Sequence, residues 1–137
     1  MEWPEARIKS TLLSQEPRQG SRLTAVLSGL VLLFISLFCW QDVELYRSLA
    51  ATPEKVFGAQ EYWRLITMMF VHADIQHLLS NGIFVIFFGY LLYGYFGFWI
   101  YPASMLLLGT LTSLIALMTY PDNIRLLGAS GLVYLMV

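Results

Sequence analysis

At 137 residues the chain has the length of one domain, and 58% of it is apolar or aromatic against 12% charged, about half of the roughly 25% charge that soluble domains carry. That composition excludes an ordinary water-soluble globule. With eight Lys/Arg against nine Asp/Glu, the balance also excludes the basic excess on which nucleic-acid binding depends.

The first apolar element follows the polar tail 1–22. Between Arg22 and Asp42 run 19 residues, LTAVLSGLVLLFISLFCWQ, without a charge; at 1.5 Å per residue they make about 28 Å of helix, one bilayer crossing. Ala25, Ser28, Gly29 and Ser36 recur near helical spacing and predict a face on which another helix packs closely. Cys39, the single cysteine, has no intrachain partner and carries no redox information. A secretory signal peptide competes for this stretch, because Ser48 and Ala50 form a small-x-small cleavage pattern. The length of the run, and Asp42, Glu44 and Arg47 standing between it and that pattern, favour the span.

Residues 42–74 hold three of the eight basic and five of the nine acidic residues, the longest polar connection on the chain. Thr52 before Pro53 reads as an N-cap and first helical position. Trp63, Ile66 and Phe70 share a helical face below Arg64, a pattern that places the segment in the membrane interface.

From 75 to 121 there are 47 residues without Asp, Glu, Lys or Arg, roughly 70 Å of helix and so two crossings joined by a hairpin. The turn is expected near 94–97, where glycines interrupt the run and Tyr90, Tyr93, Tyr95, Trp99 and Tyr101 form an interfacial aromatic cluster. The second span is then about 78–96 and the third about 99–120, with Gly109 and Ser113 as a small-xxx-small pair. After a polar turn at 121–125 apolar sequence resumes at Leu126 and reaches Val137, about 18 Å later, which reads as the start of a fourth span in a longer protein. The expected fold is an all-α polytopic membrane helical bundle with three full spans and the start of a fourth: tail 1–22, membrane domain 23–137, interfacial loop 42–77. Arg7, Lys9, Arg18 and Arg22 before the first span predict a cytosolic N-terminus, and the expected location is a cell membrane, plasma or inner.

Two polar clusters stand out against this apolar background. His77 and Asn81 are four apart and share one face at the start of the second span, where polar side chains are functional candidates; the plainer reading is a hydrogen bond to a neighbouring helix. His72 and Asp74 nearby raise a metal site, but histidines five apart point about 140° away from each other on a helix, unlike the four-residue metalloprotease spacing. No metal, haem or other cofactor is expected. The second cluster, Gly128, Ala129, Ser130 and Gly131, can be small-residue helix packing. The order of crossings gives it another meaning: spans two and four begin on the same side of the bilayer, so Ser130, His77 and Asn81 can share one depth. A serine beside side-chain donors is the arrangement of a nucleophile with an oxyanion hole, and flanking glycines let a substrate backbone approach.

These residues resemble the rhomboid family of intramembrane serine proteases. The stretch WRLITMMFVHADIQHLLSN, 63–81, is similar to the family pattern at Trp63, Arg64, Leu65, Thr67, Phe70, His72, His77, Leu78 and Asn81; GASGLVY, 128–134, is similar to its nucleophile motif. The resemblance covers about residues 23–137. It implies a serine endopeptidase acting on transmembrane protein substrates within the lipid bilayer, with Ser130 as nucleophile and His77, Asn81 and a backbone amide near Ser130 stabilising the oxyanion. It implies a supporting role for His72, an anchoring role in the loop for Trp63 and Arg64, and a place for Tyr134 beside the catalytic base. Two departures accompany it. Where the family often has Gly-x-x-x-Glu-x-x-x-Gly, Gly89 and Gly97 here flank Tyr93. The family's general base is a histidine on its last core span, whereas the two histidines present, His72 and His77, match other positions, so residues 1–137 alone are expected to be inactive. The competing classes are a non-catalytic rhomboid-like protein that binds membrane helices, disfavoured by the presence of Ser130, and a transporter or channel component, disfavoured by the lack of charged residues inside the spans.

Overall fold

The computed structural model describes residues 11–137; Arg7 and Lys9, on which the expected orientation partly rests, lie outside the described residues. Among the described residues six α-helices follow one another: α1 Ser21–Gln41, α2 Val43–Leu49, α3 Arg64–Thr67, α4 Ile75–Phe96, α5 Met105–Thr119 and α6 Ser130–Met136. The only strand-like pairing among the described residues is an antiparallel bridge between Ala51 and Leu126. Among the described residues three segments are long and apolar enough to cross a membrane: Ser21–Gln41, Ile75–Phe96 and Trp99–Thr119. The chain is therefore an integral membrane protein built as an all-helical bundle.

The helices start and stop where the sequence dictates. Asp42 ends the first charge-free run and caps α2, its carboxylate accepting from Glu44 N–H at 2.9 Å and Leu45 N–H at 3.0 Å. Asp74 caps α4 through His77 N–H at 2.8 Å, which moves the start of that helix to Ile75, three residues before the expected boundary. Gly97, at φ +81°, ends it. Thr52 caps the short helical turn Glu54–Gly58, its hydroxyl accepting from Lys55 N–H at 3.3 Å.

Small residues set the helix contacts. On α1, Ala25, Leu32, Ser36 and Cys39 are buried, and at Gly29 an added Cβ would lie 2.7 Å from Ile86 Cγ1 of α4; a larger residue there would separate the two spans. On α5, Gly109 faces Met69 Sδ of the loop at 2.9 Å and Leu132 Cβ of α6 at 3.5 Å from its would-be Cβ, and Ser113 is buried one turn on. The core gathers Leu32, Val56, Met69, Leu78, Val85, Leu117 and Leu132 from loop and helices together.

The polar loop is folded onto this core by Arg64. Its guanidinium, 6% exposed, donates to Arg47 O at 2.7 Å, to Ala50 O at 2.8 Å and to Ser48 O, and pairs with Glu61. It thereby satisfies carbonyls that the end of α2 leaves without intrahelical partners. Thr67 Oγ1 adds a bond to Leu49 O at 2.9 Å. Trp63 and Ile66 are exposed, so the apolar face of this segment is free to meet the interface.

The far end of α4 has an arrangement that the sequence pattern did not reveal. Tyr101 lies over Gly89, 3.0 Å from its would-be Cβ, and the Arg18 guanidinium lies at Gly97, with Cζ 3.1 Å from its would-be Cβ. Arg18 N–H also donates to Gly94 O at 2.9 Å. The segment before α1 is thus laid along the end of α4, where the expected family pattern would have carried a glutamate.

Candidate active site

Residues 120–129 return the chain from α5 to the site without forming a helix. The fourth helix of the apolar pattern begins at Ser130, not at Leu126 where apolar sequence resumes, because the intervening backbone is committed elsewhere. Leu126 N–H and Ala51 N–H exchange bonds with each other's carbonyls at 2.8 and 3.1 Å, and Gly128 N–H donates to Met68 O at 2.9 Å. Gly128 has φ +97°, a conformation that side chains with a Cβ rarely adopt.

The next amide, Ala129 N–H, donates to His72 Nε2 at 3.3 Å. Two consecutive amides of the Gly128–Gly131 motif are therefore pinned to residues 68–72. Ser130 N–H is the first that is not: as the opening residue of α6 it has no carbonyl one turn back in the helix, and it donates to no acceptor among the described residues. Ser130 is half-buried, and its hydroxyl makes no hydrogen bond to the described residues.

His77 completes one wall. Its ring sits where a Gly128 side chain would be, Nε2 lying 2.6 Å from the would-be Cβ, so any larger residue at 128 would evict the imidazole. It also meets the His72 ring edge to face, 5.0 Å between centroids at 75°. Asn81 follows one turn along α4, 5% exposed, and its Nδ2 is a buried donor without a partner among the described residues. Such orphan donors are rare because each costs about 1–3 kcal/mol. The structure thus brings His72, His77, Gly128 and Ala129 into contact, with Ser130 next in the chain and Asn81 one turn beyond His77.

His72 is fully buried. Burial pushes its imidazole down to about 4, and the neighbouring His77 acts in the same direction, so it is neutral at physiological pH. Its Nδ1 meets Ser36 Oγ of α1 at 3.0 Å, and Trp40 Nε1, one turn along α1, donates to the His72 carbonyl at 2.7 Å. Ser36 entered the sequence reading only as a small packing residue and Trp40 not at all. Tyr134, one turn below Ser130, is 83% exposed. A largely apolar cavity of about 290 Å³ lies against the motif at Ala129, walled by Leu32, Val85, Tyr101, Leu106 and Leu132. Among the described residues, no three of the His, Cys, Asp and Glu side chains converge.

The helical membrane bundle, the folded interfacial loop and the glycine-flanked serine at a helix start define a rhomboid-type membrane protein. The Rhomboid domain family model matches residues 59–137, more than half of the chain, and the chain belongs to the rhomboid family. Among curated proteins it is similar to "RHOMBOID-like protein 6, mitochondrial" of Arabidopsis thaliana, 51% identical over 45 residues, which cover 33% of this chain and 15% of that relative. The chain thus spans only a small part of the relative it matches. No solved structure matches it.

Proposed function

We propose that this fold is the nucleophile and oxyanion-binding part of an intramembrane serine endopeptidase that cleaves transmembrane protein substrates. The observation that carries the reading is an unengaged Ser130 amide and hydroxyl together with an Asn81 whose buried Nδ2 has no partner among the described residues, on segments joined where His77 meets Gly128. A buried orphan donor is a cost to folding that a developing negative charge would repay.

In this reading Ser130 Oγ attacks the scissile carbonyl. The resulting oxyanion takes hydrogen bonds from Ser130 N–H, the His77 ring and Asn81 Nδ2. The apolar cavity beside Ala129 suits an aliphatic side chain of a membrane-spanning substrate. Orientation follows the basic residues before α1, a cytosolic N-terminus, and the membrane of this reading is a cell membrane, plasma or inner.

Serine needs a base to remove its proton. Within residues 1–137 the two histidines are otherwise engaged, His72 as a buried acceptor and His77 over Gly128, so the reaction requires a base from outside this stretch. The alternative reading is a non-catalytic rhomboid-like protein that holds membrane helices without cutting them.

Asn81→Ala tests the first reading, and a complete absence of turnover in the unsubstituted, continued chain would favour the second. In a chain that continues into a span bearing a histidine base, the variant's turnover is expected to fall by about 10² to 10³, the scale for one oxyanion donor. Thermal stability is expected to be held or slightly raised, because the substitution deletes an unsatisfied group. Unchanged turnover in a folded Asn81→Ala protein would remove Asn81 from the chemistry.

A further inference from the structure

We infer that His72 is a positioning residue: a neutral imidazole locked in the Nδ1–H tautomer, whose Nε2 accepts the Ala129 amide and ties the serine motif to the first span through Ser36. Its value to catalysis rests on the reading of Ser130 as nucleophile; the clamp itself does not.

The proton inventory allows one arrangement. Ala129 N–H can only donate, so Nε2, 3.3 Å away, must present its lone pair. A neutral ring then carries its proton on Nδ1, which donates to Ser36 Oγ at 3.0 Å. The Ser36 hydroxyl in turn donates to Phe70 O at 3.1 Å. Every donor meets an acceptor. The opposite tautomer would face N–H against N–H at Ala129, and a charged ring would do the same.

The clamp is held at both ends of His72. Ser36 and Trp40, four apart on one face of α1, take its side chain and its carbonyl respectively. The titratable neighbours are His77, in edge contact, and Asp74, whose carboxylate is occupied by His77 N–H; burial favours the neutral ring. Since Gly128 N–H is already taken by Met68 O, the His72 bond is the last constraint on the backbone before Ser130. It fixes the direction from which the Ser130 amide and hydroxyl leave the motif. His72 touches neither by hydrogen bond, and so acts through Ala129.

The test uses the 137-residue chain in detergent micelles, with histidine labelled by nitrogen-15 and the two rings distinguished through His77→Gln. Long-range proton–nitrogen correlation at pH 7 is expected to show His72 Nδ1 protonated and Nε2 bare. Ser36→Ala, which removes the Nδ1 acceptor, is expected to raise the Nε2–H fraction. Hydrogen exchange at Ala129 is expected to quicken by about tenfold in His72→Leu, the scale of one net hydrogen bond, and to stay slow in His72→Gln, whose side-chain carbonyl replaces Nε2. A proton on His72 Nε2 at pH 7, or exchange at Ala129 indifferent to a folded His72→Leu, would overturn the proposal. If His72→Leu does not fold, the tautomer in the unsubstituted chain decides. None of these readouts involves proteolysis, so the expected tautomer found beside a chain that stays inactive even when a span bearing a histidine base is supplied would count against the protease reading alone.

Discussion

Gly128 is where single-residue geometry bears hardest on the site. It combines φ +97° with a would-be Cβ 2.6 Å from His77 Nε2. An alanine there meets a left-handed backbone, which costs about 1–2 kcal/mol, and it must also displace the imidazole. Gly131, three residues on, has only Thr112 Cγ2 near its would-be Cβ, at 3.7 Å, and lies inside α6, where alanine gains roughly 0.5–1 kcal/mol over glycine. Thermal unfolding in detergent is expected to show Gly128→Ala destabilised by about 2 kcal/mol or more and Gly131→Ala unchanged or stabilised. Equal behaviour of the two variants would mean that His77 is not seated on residue 128.

At the scale of elements, the loop between α1 and α4 is a folded part of the site because one buried cation organises it. Arg64 collects Arg47 O, Ser48 O and Ala50 O and pairs with Glu61. Replacing it with glutamine leaves carbonyls at the end of α2 unsatisfied and Glu61 without its counter-charge, expected to cost about 2–4 kcal/mol. Lysine is expected to rescue little, since its single nitrogen cannot serve both the carbonyls gathered at Nη1 and Glu61, which pairs with Nε. Limited proteolysis within residues 43–62 is the measurement: rapid cleavage in both variants is expected, and a loop as resistant as the unsubstituted one would deny Arg64 its organising role. The three crossings were legible in the sequence because charge-free length is a local property. The start of α6 was not, since the bonds that hold residues 126–129 out of a helix come from Ala51, Met68 and His72. His72 itself was legible only as a family position. Its partners Ser36 and Ala129 lie 36 and 57 residues away, and no local pattern announces them.

At the scale of the whole molecule, one crossing separates the segment before α1 from the loop after it. That holds whichever way the protein inserts. Single cysteines at Gln15 and Lys55, in a background lacking Cys39, are expected to react with a membrane-impermeant thiol reagent from opposite faces of a sealed vesicle. The sidedness of position 15 then reports whether the basic residues before α1 face the cytosol, as proposed. Reaction of both positions from one face would remove α1 as a membrane span.

The central claim is that Ser130 stands beside oxyanion donors while its base lies outside residues 1–137. A fluorophosphonate probe reports this directly, because it reacts with a serine whose proton is being removed and whose attacked oxygen is stabilised. The account predicts no Ser130-dependent labelling of the 137-residue chain, and labelling abolished by Ser130→Ala once a span bearing a histidine base is supplied. Strong Ser130-dependent labelling of the 137-residue chain would contradict it, for His77 would then be the base and could not be assigned to the oxyanion.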